Sequence, residues 1–204
     1  MNKARFEAFS DGVYAFAITV LILGIALPVF KNPPSDRELA HALLHLWPNL
    51  LAYTLSFAVI GIMWQNHHAL FRLVQRIDRM TVFLNLVLLG VTVFIPFATS
   101  TLGAYPSMRS STFLYGLTLT GSAIVYNLLL GHLIRSAAFH ASASKATIRQ
   151  TVVAYRVGMA TYIVAMLASL VAPAVSFALY LVVVAYYLFP RGADADLAGK
   201  SAQG

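Results

Sequence analysis

Polar side chains lie within or beside long apolar stretches of this 204-residue sequence. In such surroundings each polar group requires a hydrogen-bond partner or has a functional role. Ser10 and Asp11 precede the uncharged stretch from Gly12 to Leu27, and Thr19 lies inside that stretch. Carboxylates, imidazoles and hydroxyls at membrane depth serve proton transfer, ion coordination or hydrogen bonds between helices. The later apolar stretches add four more candidates, Trp64, His67, His68 and Asn85.

His67 and His68 are candidates for a metal site, or for acid–base catalysis together with Asp11. Adjacent residues diverge by about 100° on a helix, and no third ligand stands at a suitable spacing from the pair. No nucleophile motif surrounds Ser10. We therefore expect no enzyme activity, no catalytic residue, no metal site and no cofactor. The polar side chains are instead expected to join helices.

Three further histidines are expected at surfaces. His41 and His45 are four residues apart, which predicts a common and solvated helix face. His132 lies near the end of an apolar stretch and is predicted to be interfacial. Arg156 is expected to extend its charged end to the membrane surface.

The composition is that of a membrane protein. Hydrophobic residues make up 59% of the chain and charged residues only 10%, whereas soluble domains carry about 25% charged residues. The lysines and arginines are scattered between apolar stretches, so no nucleic-acid partner is expected. The sequence contains no cysteine, which excludes disulfides and thiolate metal sites.

The apolar stretches predict an all-α membrane protein with six transmembrane helices. These form one domain over residues 1–191, followed by a disordered cytoplasmic tail over 192–204. Ser35 and Glu38 have the spacing of a capping box and predict a helix start after the first span. The expected spans are 8–27, 43–64, 80–99, 112–134, 152–171 and 174–189.

The distribution of basic residues predicts the orientation. Six spans place both termini on one side, and eleven of the fourteen lysines and arginines fall on that side. Only Lys31, Arg37 and Arg109 lie opposite. The positive-inside rule therefore predicts a multi-pass protein of the cell (inner) membrane with cytoplasmic termini.

One face of the first span carries an apolar stripe. At 100° per residue, Phe16, Val20, Leu23 and Leu27 lie within about 60° of one another, with Thr19 at the edge of the stripe. The residues alone favour a stripe that faces lipid. Asp11 lies at the depth of Trp64, His67, His68 and Asn85, which predicts hydrogen bonds between this set and Ser10 or Asp11.

The combined motifs resemble the bacterial branch of the endolysosomal potassium-channel family known as transmembrane protein 175. The likeness covers the first three spans closely and the remainder by topology only. Its most distinctive part is Phe9-Ser10-Asp11, preceded by Arg5. The residues that carry it are Arg5-x-x-x-Phe9-Ser10-Asp11-Gly12, Ala15-Phe16-Ala17-Ile18-Thr19, Trp64-x-x-His67-His68-x-x-Phe71, Asp78, Asn85 and Ile95-Pro96-Phe97.

The resemblance implies a potassium-permeable homotetramer whose first helices line one central pore. The resemblance implies that the apolar stripe faces this pore, because Phe16, Val20 and Leu23 match pore-facing positions. Leu27 shares their face. Thr19 matches a hydroxyl layer linked to potassium preference. The TVGYG filter of ordinary potassium channels is absent from the family and from this sequence. A polar network between helices or subunits is implied for Arg5, Ser10, Asp11, Trp64, His68 and Asn85, beside which His67 also lies.

Phe16 departs from the family pattern, in which the narrowest apolar position is usually Ile or Leu. Four phenyl rings would either close such a pore or turn aside. Two other functions stay open from the sequence: a proton- or ion-coupled transporter that uses Asp11 and a histidine, and a membrane scaffold without transport. No internal repeat of the kind common in transporters is visible.

Overall fold

The computed structural model describes residues 2–187 except for the side chain of Tyr186. The described part is helical and contains no strand, only an isolated β-bridge between two loops. This confirms the predicted all-α fold, while the expected tail over 192–204 lies outside the described residues. The helices are α1 (Lys3–Val20), α2 (Asp36–Leu44), α3 (Trp47–Leu73), α4 (Arg79–Ala104), α5 (Arg109–Arg135), α6 (Lys145–Ala168) and α7 (Pro173–Tyr187).

Five segments are long and apolar enough to cross a membrane: α1 with the turn that follows it, α3, α4, α5 and α6. The sixth expected span corresponds to α7, whose apolar stretch Pro173–Ala185 is shorter. A short span is accommodated by tilt or by local thinning of the bilayer. The chain is therefore a multi-pass membrane protein.

The first helix begins and ends earlier than the sequence suggested. The side chain of Asn2 caps it by accepting a hydrogen bond from Ala4 N. After Val20 the chain tightens into a 3₁₀ turn over Leu21–Gly24, and the next residue is extended. The prediction that the helix continues to Leu27 is therefore wrong.

Gly24 ends the 3₁₀ turn that follows α1 and lies close against α4. A Cβ atom built on Gly24 would lie 2.9 Å from Cβ of Ser100 on α4. Such a distance is shorter than real Cβ contacts allow, so only glycine lets the chain pass this close to α4. The turn after α1 is thereby packed directly against α4.

The helix start predicted between the first two spans is confirmed. Ser35 Oγ accepts from Glu38 N, and Glu38 Oε2 accepts from Ser35 N at 2.8 Å, which completes a capping box. The helix it begins is α2, a separate element rather than the start of the second span. The bonds from Ser35 also lower the pKa of the Glu38 carboxyl.

The predicted end of the second span at Trp64 is wrong, because α3 continues to Leu73. Its last turns are buried: His67 and Phe71 are 1% and 0% exposed. The ring of Phe6 on α1 lies 4.7 Å from that of Phe71, centroid to centroid. Packing against α1 thus buries the last turns of α3, which continue beyond the polar residues 65–68.

Contacts between loops define one end of the bundle, which we call the basic end. Lys3 Nζ donates to Val74 O at 2.7 Å, and Val74 forms the β-bridge with Phe139 in the α5–α6 loop. The chain start, the α3–α4 loop and the α5–α6 loop therefore lie together, as the predicted topology requires. At the other end, α2, Phe30 and Ala104 line one open cavity.

Candidate functional site

The first helix has two chemically different faces. One is buried against α3 and α4 and repeats every three or four residues through Phe6, Ser10, Tyr14 and Ala17. The other is exposed although it is apolar, with Phe16 59% exposed. Exposed apolar area of this kind on a membrane helix contacts either lipid or another chain.

The buried face of α1 carries a chain of hydrogen bonds, the buried triad of Ser10, His67 and Asn85. Asn85 Nδ2 donates to Ser10 Oγ at 2.9 Å, and the amide oxygen of Asn85 accepts from His67 Nε2 at 2.8 Å. Ser10 Oγ donates in turn to Phe6 O at 3.0 Å. One amide group thus joins α1, α3 and α4.

Burial makes this triad costly to disturb. Ser10 is 0% exposed, and His67 and Asn85 are each 1% exposed. The His67 ring also contacts the rings of Tyr14 and Phe71, at centroid distances of 5.4 Å and 4.5 Å. A satisfied polar group in such a place specifies one packing arrangement, because a shifted helix would leave its partners unpaired.

The remaining members of the predicted polar network lie at the surface of the subunit. Trp64 Nε1 donates to Asp11 Oδ1 at 2.9 Å, and Trp64 is 41% exposed. The His68 ring lies 6.1 Å from that of Trp64 and is exposed. Arg5 is exposed and has no ion pair within the described part of the chain. The predicted network therefore divides into the buried triad and an exposed group of Arg5, Trp64 and His68 together with the half-buried Asp11.

Thr19 is exposed beside the apolar stripe. Its Oγ1 donates to Phe16 O at 2.8 Å, one turn back along the helix. Because the hydroxyl proton is engaged, the oxygen lone pairs point away from the backbone and are free to accept or to coordinate a cation.

The apolar stripe is exposed along most of its length. Leu23 is 77% exposed and Leu27 51%, while Val20 is half-buried. Val20 is the last residue of α1, and Leu23 lies in the 3₁₀ turn that follows. Residues three apart eclipse one another in 3₁₀ geometry, so Leu23 stays on the same face as Val20 and Phe16. Leu27 lies beyond the helix, and its place in the stripe does not follow from helical periodicity.

Two clusters of polar side chains in the structure were not predicted from the sequence. Ser56 Oγ lies 3.0 Å from Tyr115 OH and 2.7 Å from Thr99 Oγ1, and these contacts join α3, α4 and α5 in mid-bundle. Hydroxyl residues in apolar helices give a poor signal, because most of them bond the carbonyl four residues back. Thr99 also does so, with Ile95 O at 2.8 Å.

The second missed cluster lies at the basic end. Asp78 Oδ1 accepts from the backbone N and from Oγ1 of Thr81, each at 2.7 Å, and so caps α4. Asp78 Oδ2 lies 2.9 Å from His132 Nε2 on α5. The Thr81 hydrogen bonds, followed by the histidine, lower the pKa of Asp78 to about 2. His132, predicted as interfacial, thus also joins α5 to the start of α4.

Among residues 2–187, no group of three or more His, Cys, Asp or Glu residues could hold a metal ion. Asp11 bonds Trp64 and His67 bonds Asn85. The contacts around α1 therefore join helices and orient surface groups.

Fold and site together define a multi-pass helical membrane protein whose first helix is anchored by buried polar bonds on one face and exposed on the other. The family model described as "Endosomal/lysosomal potassium channel TMEM175" matches residues 5–96, which span α1 to most of α4. That region contains the buried triad and the exposed stripe.

Similar proteins agree with this match. A potassium channel of Streptomyces collinus is 43% identical over 141 residues, 67% of each chain. A potassium channel of Chamaesiphon minutus is 37% identical over 190 residues, 91% of this chain and 93% of that protein. The crystal structure of a lysosomal potassium-selective channel TMEM175 homolog from Chamaesiphon minutus superposes with a TM-score of 0.80 at 35% identity, covering 91% of this chain and 96% of that one. The chain belongs to the TMEM175 family.

Proposed function

We propose that the chain is one subunit of a potassium-permeable channel that conducts ions passively, and that it is not an enzyme. Four copies would place the exposed face of α1 around one central pore. The observation that carries the proposal is the exposure of that face: Phe16 and Leu23 are 59% and 77% exposed although the opposite face is fully packed. The family membership and the names of the similar proteins support potassium as the permeant ion.

Within residues 2–187, the interior of one subunit is packed rather than hollow. Two hydrophobic cores fill the described bundle, and the cavity between α3, α5 and α6 has a volume of only ≈ 50 Å³. A helical bundle of this size reaches an aqueous path by association, and closed symmetry then sets the pore on the axis. We therefore infer a homotetramer, in accord with the resemblance noted from the sequence.

On the axis, the exposed residues of α1 would have separate tasks. A ring of Phe16 side chains would exclude water and form a dewetted barrier, with Val20, Leu23 and Leu27 continuing the apolar lining. A ring of Thr19 oxygens, whose lone pairs are free, would replace part of the hydration shell of potassium. No cofactor is required, because the permeant ions themselves are the ligands.

The exposed polar group would then lie between subunits. Arg5, which has no ion pair within the described part of its own chain, is a candidate partner for acidic or aromatic groups of the neighbouring copy. The excess of basic residues at the basic end supports cytoplasmic termini in the inner membrane. A relay through Asp11 and a histidine is less well supported, because Asp11 bonds Trp64 instead.

Potassium flux into liposomes reconstituted with purified protein tests the proposal. We expect flux that follows the potassium gradient without proton coupling or ATP. The mass in detergent is the matching test of assembly and should equal four subunits. A stable monomer, or tetramers that pass no potassium under any gradient, would overturn the proposal.

A further inference from the structure

Two histidines lie in the cavity at the end of the bundle opposite the basic end. This open cavity of ≈ 810 Å³ is bounded by α2, by the chain after Gly24 and by Ala104. His41 on α2 and His45, the residue that follows the last residue of α2, line it one helical turn apart, and both are exposed. Side chains four residues apart on a helix lie on the same face, so both imidazoles reach the same part of the cavity.

The two rings are already close together. Their centroids lie 4.0 Å apart with an interplanar angle of 34°. Two imidazole nitrogens bound to one tetrahedral metal ion at 2.0–2.1 Å are roughly 3.3 Å apart. Binding of one nitrogen of each ring to a common ion would require the rings to fan apart, to a centroid separation of about 5 Å, by rotation about their side-chain bonds.

A backbone hydrogen bond orients the second ring. His45 Nδ1 lies 2.8 Å from His41 O, and because a carbonyl oxygen only accepts, Nδ1 must carry the proton. The lone pair of neutral His45 is then on Nε2, free of that bond. Metal-binding histidines in proteins almost always donate their other N–H to a carbonyl or carboxylate, which is the arrangement seen here.

The donor set selects a class of metal. Imidazole suits Zn²⁺, Cu²⁺ and Ni²⁺, whereas Mg²⁺ and Ca²⁺ require oxygen ligands. Glu38 lies on the same face, but its Oε2 accepts both bonds from Ser35 in the capping box. The protein thus supplies two nitrogen ligands, and water completes the coordination.

We propose that His41 and His45 form a two-histidine binding site for a divalent transition-metal ion such as Zn²⁺ on the cavity face of α2. The site involves neither α1 nor the buried triad. It stands independently of the proposed channel function, because it depends only on contacts within one α2 helix. A bound ion would fix both rings and stabilise the last turn of α2.

Calorimetric titration of the purified full chain with ZnCl₂, in detergent and without a histidine tag, tests the proposal. The variants are His41→Ala and His45→Ala, and both positions are exposed, so folding should be preserved. His140→Ala is the matched control, since His140 is an exposed histidine of the α5–α6 loop at the basic end. A parallel titration with MgCl₂ tests the choice of metal.

We expect one Zn²⁺ bound per chain, an affinity at least tenfold weaker in each α2 variant and unchanged in His140→Ala, and no heat from MgCl₂. Zn²⁺ should raise the melting temperature of the wild type and not that of either α2 variant, because a ligand that binds only the folded site stabilises it. Zinc affinity that persists in His41→Ala and His45→Ala would overturn the proposal, as would the absence of zinc binding to the wild type.

Discussion

The two faces of α1 use polar groups in opposite ways. On the buried face, Ser10 meets Asn85 and through it His67, and these three side chains are almost inaccessible. On the exposed side, Asp11 has a single bond to a partly exposed tryptophan, and the Thr19 oxygen keeps its lone pairs free. One helix therefore combines buried polar groups that are hydrogen-bonded with exposed polar groups that can still bind a partner.

The two faces should therefore differ in the kind of role that their side chains have. A satisfied buried group fixes geometry, and its loss appears as instability. An exposed group with free donor or acceptor atoms is available to bind an ion or a neighbouring chain, so its loss should appear in assembly or in ion flow. Substitutions on the two faces should therefore change different measurements.

The largest effect is expected for Asn85→Ala. It leaves the His67 N–H without an acceptor and opens a cavity between three helices, which together should cost about 2–4 kcal/mol. Thermal unfolding in detergent measures the loss as a lower melting temperature. A stability equal to that of the wild type would show that the buried triad is not an anchor.

Asp11→Ala should act mainly on assembly. It removes the acceptor of Trp64 Nε1, and an unpaired group would cost about 1–3 kcal/mol once the proposed subunit interface buries it. We expect a lower tetramer yield in size-exclusion chromatography, before any change in ion selectivity. Trp64→Phe is the matched variant, and the double variant should be no worse than the more severe single one. Normal assembly with a loss of ion discrimination alone would contradict this role.

Phe16→Ala should raise potassium flux while the protein remains stable. A pore-facing ring has few neighbours within its own subunit, so truncation would remove the dewetted barrier at little cost in folding. A tenfold rise in liposome flux corresponds to a barrier lower by about 1.4 kcal/mol. If Phe16 instead packed in a core, truncation would cost about 3–5 kcal/mol and flux would not rise.

Thr19→Val tests the hydroxyl next to the stripe with almost no change in shape. In a tetramer it deletes four oxygen ligands, so the preference for potassium over sodium should fall severalfold while conduction continues. Reversal potentials under bi-ionic conditions measure this preference. Unchanged potentials would exclude Thr19 from selectivity.

The smallest effect is expected away from α1, at Asp78. Its folded pKa of about 2 lies below the ordinary value of 3.8, so its contribution to stability is present above pH 4 and is lost as the pH falls toward 2. Asp78→Ala removes the cap of α4 and should cost about 1 kcal/mol at neutral pH. Melting temperatures of wild type and variant should converge as the pH approaches 2, and a constant difference would contradict the assignment.

The architecture was largely predictable, because apolar stretches, prolines and the Ser35–Glu38 spacing are local signals. The ends of α1 and α3 were not. Hydropathy places the end of α3 at Trp64, but the turns that follow are buried by contact with Phe6, and no local pattern reports that contact. Similarly, Leu27 continues the stripe by helical periodicity, although α1 ends at Val20 and the 3₁₀ turn after it ends at Gly24.

The polar residues around Asp11 were predictable as a set but not as pairs. Their types and depth indicated contacts between helices. Which residue bonds which depends on helix rotation: Asn85 reaches Ser10, whereas Asp11, about 100° further around α1, reaches only Trp64. Sequence also gave no reason to separate Ser56 and Thr99 from ordinary hydroxyl residues that bond their own helix.

The close passage of Gly24 against Ser100 has a mechanical consequence. Because Gly24 has no side chain, the chain at this end of α1 already lies against α4 and cannot move closer, and the buried triad fixes the other half of the helix to the same neighbour. Both ends of α1 are thus held against α4, so the two helices should move as one rigid unit. Widening of a pore lined by α1 would require each subunit to swing as a rigid body, or Phe16 to rotate in place.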